Sequence, residues 1–189
     1  GSSIPEYQDL TFKINVPTKK AGIFSMFGVG GFSNIDFKID TSETNLFADE
    51  SWESKFTSQT GIIGVSHEYF FNTTLFSKFV VVASGTRSGG KVDSTGFNTD
   101  QFTKLSRFDR KMGTYSAHFK LNKKISVRDS WNTGIISKIY AINFVDSSKS
   151  LNDFKENTNF KGSLNLNQLY FTWRHNFSEK FVGNFGMQG

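Results

Sequence analysis

Short polar or Gly/Pro connections fall near Pro17 to Ala21, Asn72 to Thr74, Asn122 to Lys124 and Ser178 to Lys180. They alternate with long hydrophilic stretches at Asp40 to Ser58, Gly89 to Ser106 and Asp146 to Asn159. Every interval between these connections has β character. Eight such segments in 189 residues average about 24 residues each, whereas soluble sandwiches place a turn signal about every 8 to 12 residues. Turns gathered at one end and loops at the other describe a sheet whose two ends meet different surroundings.

The segments alternate with a period of two. Leu10, Phe12, Ile14 and Val16 share a face opposite Thr11, Lys13 and Asn15, and Pro17 ends the ladder because it cannot donate a hydrogen bond. The return segment, about Gly22 to Ile39, sets Ile35, Phe37 and Ile39 against Asp36 and Lys38, and Gly28, Gly30 and Gly31 are expected to mark a bulge or a close backbone approach. Further on, Ile63, Val65, Tyr69 and Phe71 share a face with His67, while Phe79, Val81 and Ala83 oppose Lys78, Ser84 and Thr86. Tyr115, Ala117, Phe119 and Leu121 oppose Ser116, His118 and Lys120, and Ile125, Val127 and Trp131 alternate with Ser126, Arg128 and Ser130. The phase slips near Gly134, where a bulge is expected, and again between Leu164/Leu166 and Leu169/Phe171/Trp173.

Phe70, Phe71 and Phe76 flank one short turn, where a membrane barrel carries an aromatic girdle. The fold expected is all-β: an antiparallel up-and-down transmembrane β-barrel segment of about eight strands, with short periplasmic turns and long extracellular loops. Residues 1–189 then form one partial domain. No run of 18 apolar residues occurs, which excludes a transmembrane helix but not a barrel, whose alternating strands average out in hydropathy.

Twenty-two Phe and only two Pro favour pleated structure, and the absence of Cys excludes disulfides and thiolate metal sites. The net charge of +5 comes from scattered residues with no Lys/Arg run longer than two, which argues against a nucleic-acid or anionic-lipid partner and for solvated rim and lumen charges. His67, His118 and His175 lie in three different segments without a second ligand at metal-binding spacing. Ser66 and His67 are neighbours and therefore point to opposite faces, and no Gly-x-Ser-x-Gly elbow is present. Gly28-Val29-Gly30-Gly31 lacks the Lys-Ser/Thr end of a phosphate-binding loop. No catalytic, cofactor or metal residue is assigned and no enzyme is expected. Loops on a rigid scaffold concentrate binding residues, so Phe47 and Trp52, beside Asp49, Glu50 and Glu53 in the first long stretch, are the candidate extracellular-loop ligand contacts. Glu68, Lys78, Arg110, Lys120 and Arg128 fall on the non-apolar faces, where a wet lumen would accept them.

Pro5-Glu6-Tyr7-Gln8-Asp9-Leu10-Thr11-Phe12-Lys13-Ile14-Asn15-Val16-Pro17-Thr18-Lys19-Lys20-Ala21-Gly22, followed by Phe24-Ser25-Met26-Phe27-Gly28, resembles the early barrel strands of TonB-dependent receptors of Bacteroidota. Gly64-Val65-Ser66-His67-Glu68-Tyr69-Phe70-Phe71-Asn72 and Leu121-Asn122-Lys123-Lys124-Ile125-Ser126 resemble later hairpins of the same barrels, in the same order. The resemblance implies about eight strands of a larger barrel, import of a scarce nutrient such as a siderophore or glycan, and an outer-membrane location. It implies as partners the outer-membrane lipid, the rest of the barrel, a plug domain, TonB through a segment outside this chain, and a surface lipoprotein. An excerpt of a longer protein is expected. The alternatives are a self-contained eight-stranded outer-membrane barrel with an adhesion or envelope-structural role, a barrel enzyme, and a soluble lectin-like sandwich.

Overall fold

The computed structural model describes residues 3–37, 51–95, 102–150 and 153–189. They form a single antiparallel sheet of eight strands in sequence order: β1 Ser3–Pro17, β2 Ile23–Phe37, β3 Ser51–Asn72, β4 Leu75–Thr95, β5 Phe102–Lys124, β6 Asp129–Ser150, β7 Asp153–Asn176 and β8 Val182–Gln188. The up-and-down, all-β architecture expected from the two-residue period is therefore present. The sheet is open: β1 and β8 stand at its ends and do not pair with each other.

The turns follow from short polar side chains that satisfy the backbone locally. Thr18 Oγ1 accepts from the Ala21 amide at 2.9 Å, and the Thr18 amide donates to the Gly22 carbonyl at 2.8 Å. Gly22 has φ of 83°, and a Cβ there would also strike the Glu68 carbonyl, so only glycine fits. Asn72 Oδ1 accepts from the Thr74 amide at 2.9 Å. The third turn lies later than expected, because β5 pairs through Lys124 and the chain reverses over Ile125 to Arg128, closed by Ser126 Oγ accepting from the Asp129 amide. Ile125 and Val127 belong to that turn rather than to a strand, and so does Arg128. Ser178 repeats the Ser126 device against Phe181.

At the other end the strands run further than their hydrophobic pattern suggests. Trp52 to Ser58, Gly89 to Thr95, Phe102 to Ser106 and nearly all of Asp146 to Asn159 are strand, where long loops were expected. Ladder hydrogen bonds join backbone to backbone and need no apolar side chain. The bulges expected at Gly28 to Gly31 and at Gly134 are absent, since the registers pass through both without a break. The register shifts lie at Phe70/Asn72, Val92/Asp93 and Asp146/Ser147.

No described hydrophobic side chain is buried, and the chain exposes 14039 Å². A compact folded protein of 21.3 kDa exposes about 9,100 Å². A single layer of strands has nothing to pack against, and that accounts for the excess.

Candidate functional site

The working surfaces are the two faces of the sheet. Register partners share a face, so residues can be assigned to one side or the other across all eight strands. The first face carries Val16, Phe24, His67, Phe79, Phe119, Ile135 and Leu169, all in one register row. Above and below that row on the same face are Ile14, Val65, Val81, Phe171 and Trp173. Many of these side chains are 40% exposed or more. Together they make an apolar belt.

Aromatic rings crowd the turn end of the belt. Phe24 stacks on His67 at 4.4 Å, Trp173 stacks on Phe185 at 5.5 Å and Phe177 lies against Phe181 at 5.2 Å, while on the opposite face Phe70 meets Phe76 at 5.6 Å. His67 Nε2 lies 2.6 Å from the Ala21 carbonyl and so donates to it, tying β3 to the first turn. The aromatic flanking of the short turn is as expected from the sequence.

Toward the loop end a row of small residues crosses the first face: Gly30, Gly61, Gly85, Gly113, Ala141 and Ser163 are successive register partners. It opens a groove of about 660 Å³ walled by Phe12, Phe32, Ile63 and Tyr115. Beyond this row apolar residues change sides. The first face becomes polar with Gln59, Arg87, Lys111 and Lys161, while Phe56, Phe108, Phe144 and Phe160 fall on the second face. The phase slips seen near Gly134 and Leu166 arise because β6 and β7 carry apolar residues on both faces, Ile136, Tyr140, Leu164 and Leu166 on the second and Ile135, Ile139 and Leu169 on the first, and they involve no inserted residue. The ion pairs at this end include Arg87–Asp109 at 2.9 Å, Lys111–Asp109 at 3.0 Å and Arg110–Asp146 at 2.9 Å.

Below the same row the second face is mixed, with Val80, Val82, Ile136 and Leu166 among its residues, and it carries charged and polar groups as well. Lys13, Ser66, Glu68, Lys78, Ser116, His118, Lys120 and Lys138 all belong to it. Lys78 reaches Glu68 at 3.8 Å and stands directly opposite Lys120. His118 Nε2 meets the Tyr170 hydroxyl at 2.9 Å, and the phenol lies over Gly134, where a Cβ would sit 2.6 Å from that hydroxyl. Glycine at position 134 thus admits Tyr170, which its sequence context did not reveal. Arg110 joins this face nearer the loop end.

At the turn rim, Asp129 Oδ1 accepts from His175 Nδ1 at 2.6 Å and from Trp173 Nε1 at 3.2 Å, while Oδ2 accepts from Ser126 at 2.9 Å. These hydrogen bonds, the one from His175 first, hold the Asp129 carboxyl below its usual range. The network joins the β5–β6 turn to the end of β7, with the Ser126 hydroxyl bonded to Asp129 rather than to His175.

Of the candidate ligand contacts, Phe47 lies outside the described residues, as do Asp49 and Glu50. Trp52 lies in β3 rather than in a loop; it is the register partner of Ser94 and 60% exposed. The three histidines stay in separate networks. No cluster of three or more His, Asp or Glu forms a metal-binding group among the described residues. No protein-family model matches the chain, and none of the curated proteins compared with it is significantly similar.

Proposed function

We propose that this chain is part of the barrel wall of a TonB-dependent outer-membrane receptor that imports a scarce nutrient such as a siderophore or glycan. The observation that carries the membrane reading is the slope of the apolar belt. Its upper edge is Leu10 on β1 and Leu169 on β7. Through the register, Leu10 is level with Ser163, six residues before Leu169, and the two strands are six steps apart. Between those ends Ile63, Ala83, Tyr115 and Ile139 keep the edge within one register row, so the drift is an average of one residue per strand; at about 3.3 Å per residue and about 4.8 Å between strands, that average corresponds to a tilt of about 35° against a level band. Outer-membrane strands tilt by about 35–45°.

The charged and polar groups opposite the belt suit a lumen, and the girdle of rings suits an interface. The two unpaired sheet edges favour a larger barrel over a closed eight-stranded one, because open edges are not tolerated in lipid. The receptor assignment rests on the sequence resemblance around Pro17 to Gly22.

The cysteine-free chain suits a labelling test in cells. Val65→Cys is expected to react with a lipid-soluble thiol reagent and to be shielded from an aqueous one, and Ser66→Cys to do the reverse. Equal aqueous labelling of both would sink the membrane reading. Deleting the protein is expected to abolish uptake of one nutrient in an energy-dependent manner; uptake that persists when the inner membrane is de-energised would sink the receptor reading.

A further inference from the structure

We infer that the short-turn rim is a docking surface for anionic phospholipid headgroups. The inference rests on the membrane reading above and names the lipid chemistry that reading leaves open. Lys19, Lys20, Lys123, Lys124, Arg128, Arg174 and Lys180 lie in or beside the four short turns, against only Asp129 and Glu179. Seven cations against two acids give this rim +5, equal to the net charge of the whole chain.

The two acids leave the excess in place. Asp129 is engaged by His175, Trp173 and Ser126. None of the seven cations is ion-paired among the described residues, and all but Lys123 are exposed. Charges near the loop end, by contrast, are extensively cross-paired, as in Arg87–Asp109 and Lys55–Asp36. Residues 38–50 and 96–101, which connect β2 to β3 and β4 to β5, add five acids and one lysine by sequence.

Position decides the partner. The free cations border the rings of Phe71, Trp173, Phe177 and Phe181 at the turn end of the belt. Rings at the edge of an apolar belt sit at headgroup depth, and lysine or arginine stems beside them carry their charge to the phosphate layer. Charge of this sign at that depth complements an anionic lipid surface. A soluble acidic protein would not require the adjoining apolar belt.

The test uses the complete barrel protein added to vesicles of phosphatidylcholine alone or of phosphatidylcholine with about one-third phosphatidylglycerol. Entry is read as protection from protease. The anionic vesicles are expected to take up the protein at least about tenfold faster at low salt, with the advantage lost at 0.5 M salt. Replacing Lys19, Lys20, Lys124, Arg128 and Lys180 by Gln is expected to abolish the lipid preference while entry into zwitterionic vesicles is unchanged. The same lysines replaced by Arg are expected to keep it. Equal entry into both vesicles, or a preference that survives in the Gln variant, overturns the inference and leaves the membrane reading standing. A protein that remains folded in the aqueous phase with either lipid overturns both.

Discussion

His175 and Asp129 are register partners at the rim of the β6–β7 pair, with Nδ1 2.6 Å from the carboxylate. A carboxylate only accepts, so Nδ1 carries the hydrogen and the ring orientation is fixed by the acid. Asp129 titrates below its unfolded value, near 3.9, because His175 and then Ser126 hydrogen-bond the charged form. A depressed folded pKa contributes stability above the unfolded value, and that contribution is lost as pH falls through the folded one. The stability of the native protein should therefore fall more steeply as pH drops below about 4 than that of Asp129→Asn. Denaturant midpoints at each pH measure it, and parallel curves would refute the linkage.

Adjacent residues on opposite faces should differ sharply in their tolerance of charge. Val65 is half exposed on the belt, and Ser66 lies on the second face. Val65→Arg should cost about 2–4 kcal/mol if the belt meets lipid, and Ser66→Arg less than about 1. Refolding titrations into bilayers would show it. Equal costs would mean the belt is covered by protein or water.

Gly134 should reject a methyl group that Gly85 accepts. A Cβ at position 134 would lie 2.4 Å from the Phe119 carbonyl and 2.6 Å from the Tyr170 hydroxyl, whereas one at position 85 would lie 3.7 Å from the Met112 carbonyl. The Phe119 carbonyl is backbone and cannot swing aside. Gly134→Ala is expected to lose about 1–3 kcal/mol and Gly85→Ala less than about 1. Comparable folded yields of the two variants after denaturant challenge would contradict this.

Arg87 and Asp109 form a two-pronged pair, yet their side chains are 54% and 36% exposed. Solvent screens such a pair, and Arg87→Ala should leave stability nearly unchanged. Any residual effect should vanish near 1 M salt. A marked loss, insensitive to salt, would show that these strands are buried in the complete protein.

The 189-residue chain alone should fail to give a protease-resistant, heat-modifiable monomer in detergent. Its end strands each keep an unpaired backbone edge in this sheet. Recovery of such a monomer would favour a closed eight-stranded barrel.

Much of the fold was legible because a strand's side chains alternate with a period of two. Leu10 to Val16, Ile63 to Phe71 and Tyr115 to Leu121 declared their faces, and Thr18, Asn72 and Ser178 declared their turns. Long polar strand ends could not be read, since Ser88 or Asn159 in a ladder has the composition of a loop. Trp52 looked like a loop residue for the same reason. The bulge expected at Gly134 followed from reading one strand in isolation. Only with neighbours in register is that strand seen to carry apolar residues on both faces without a break.

The sequence by itself determined eight segments, their alternation and most of the reversals between them, because these depend on residues near one another in the chain. Tertiary structure decided what depends on pairing across strands. It aligned Gly30, Gly61, Gly85 and Gly113, set Tyr170 over Gly134, joined Asp129 to His175 and gave the apolar belt its slope. Register is fixed by backbone hydrogen bonds between residues far apart in sequence, and a period of two leaves it free to slide by pairs of residues.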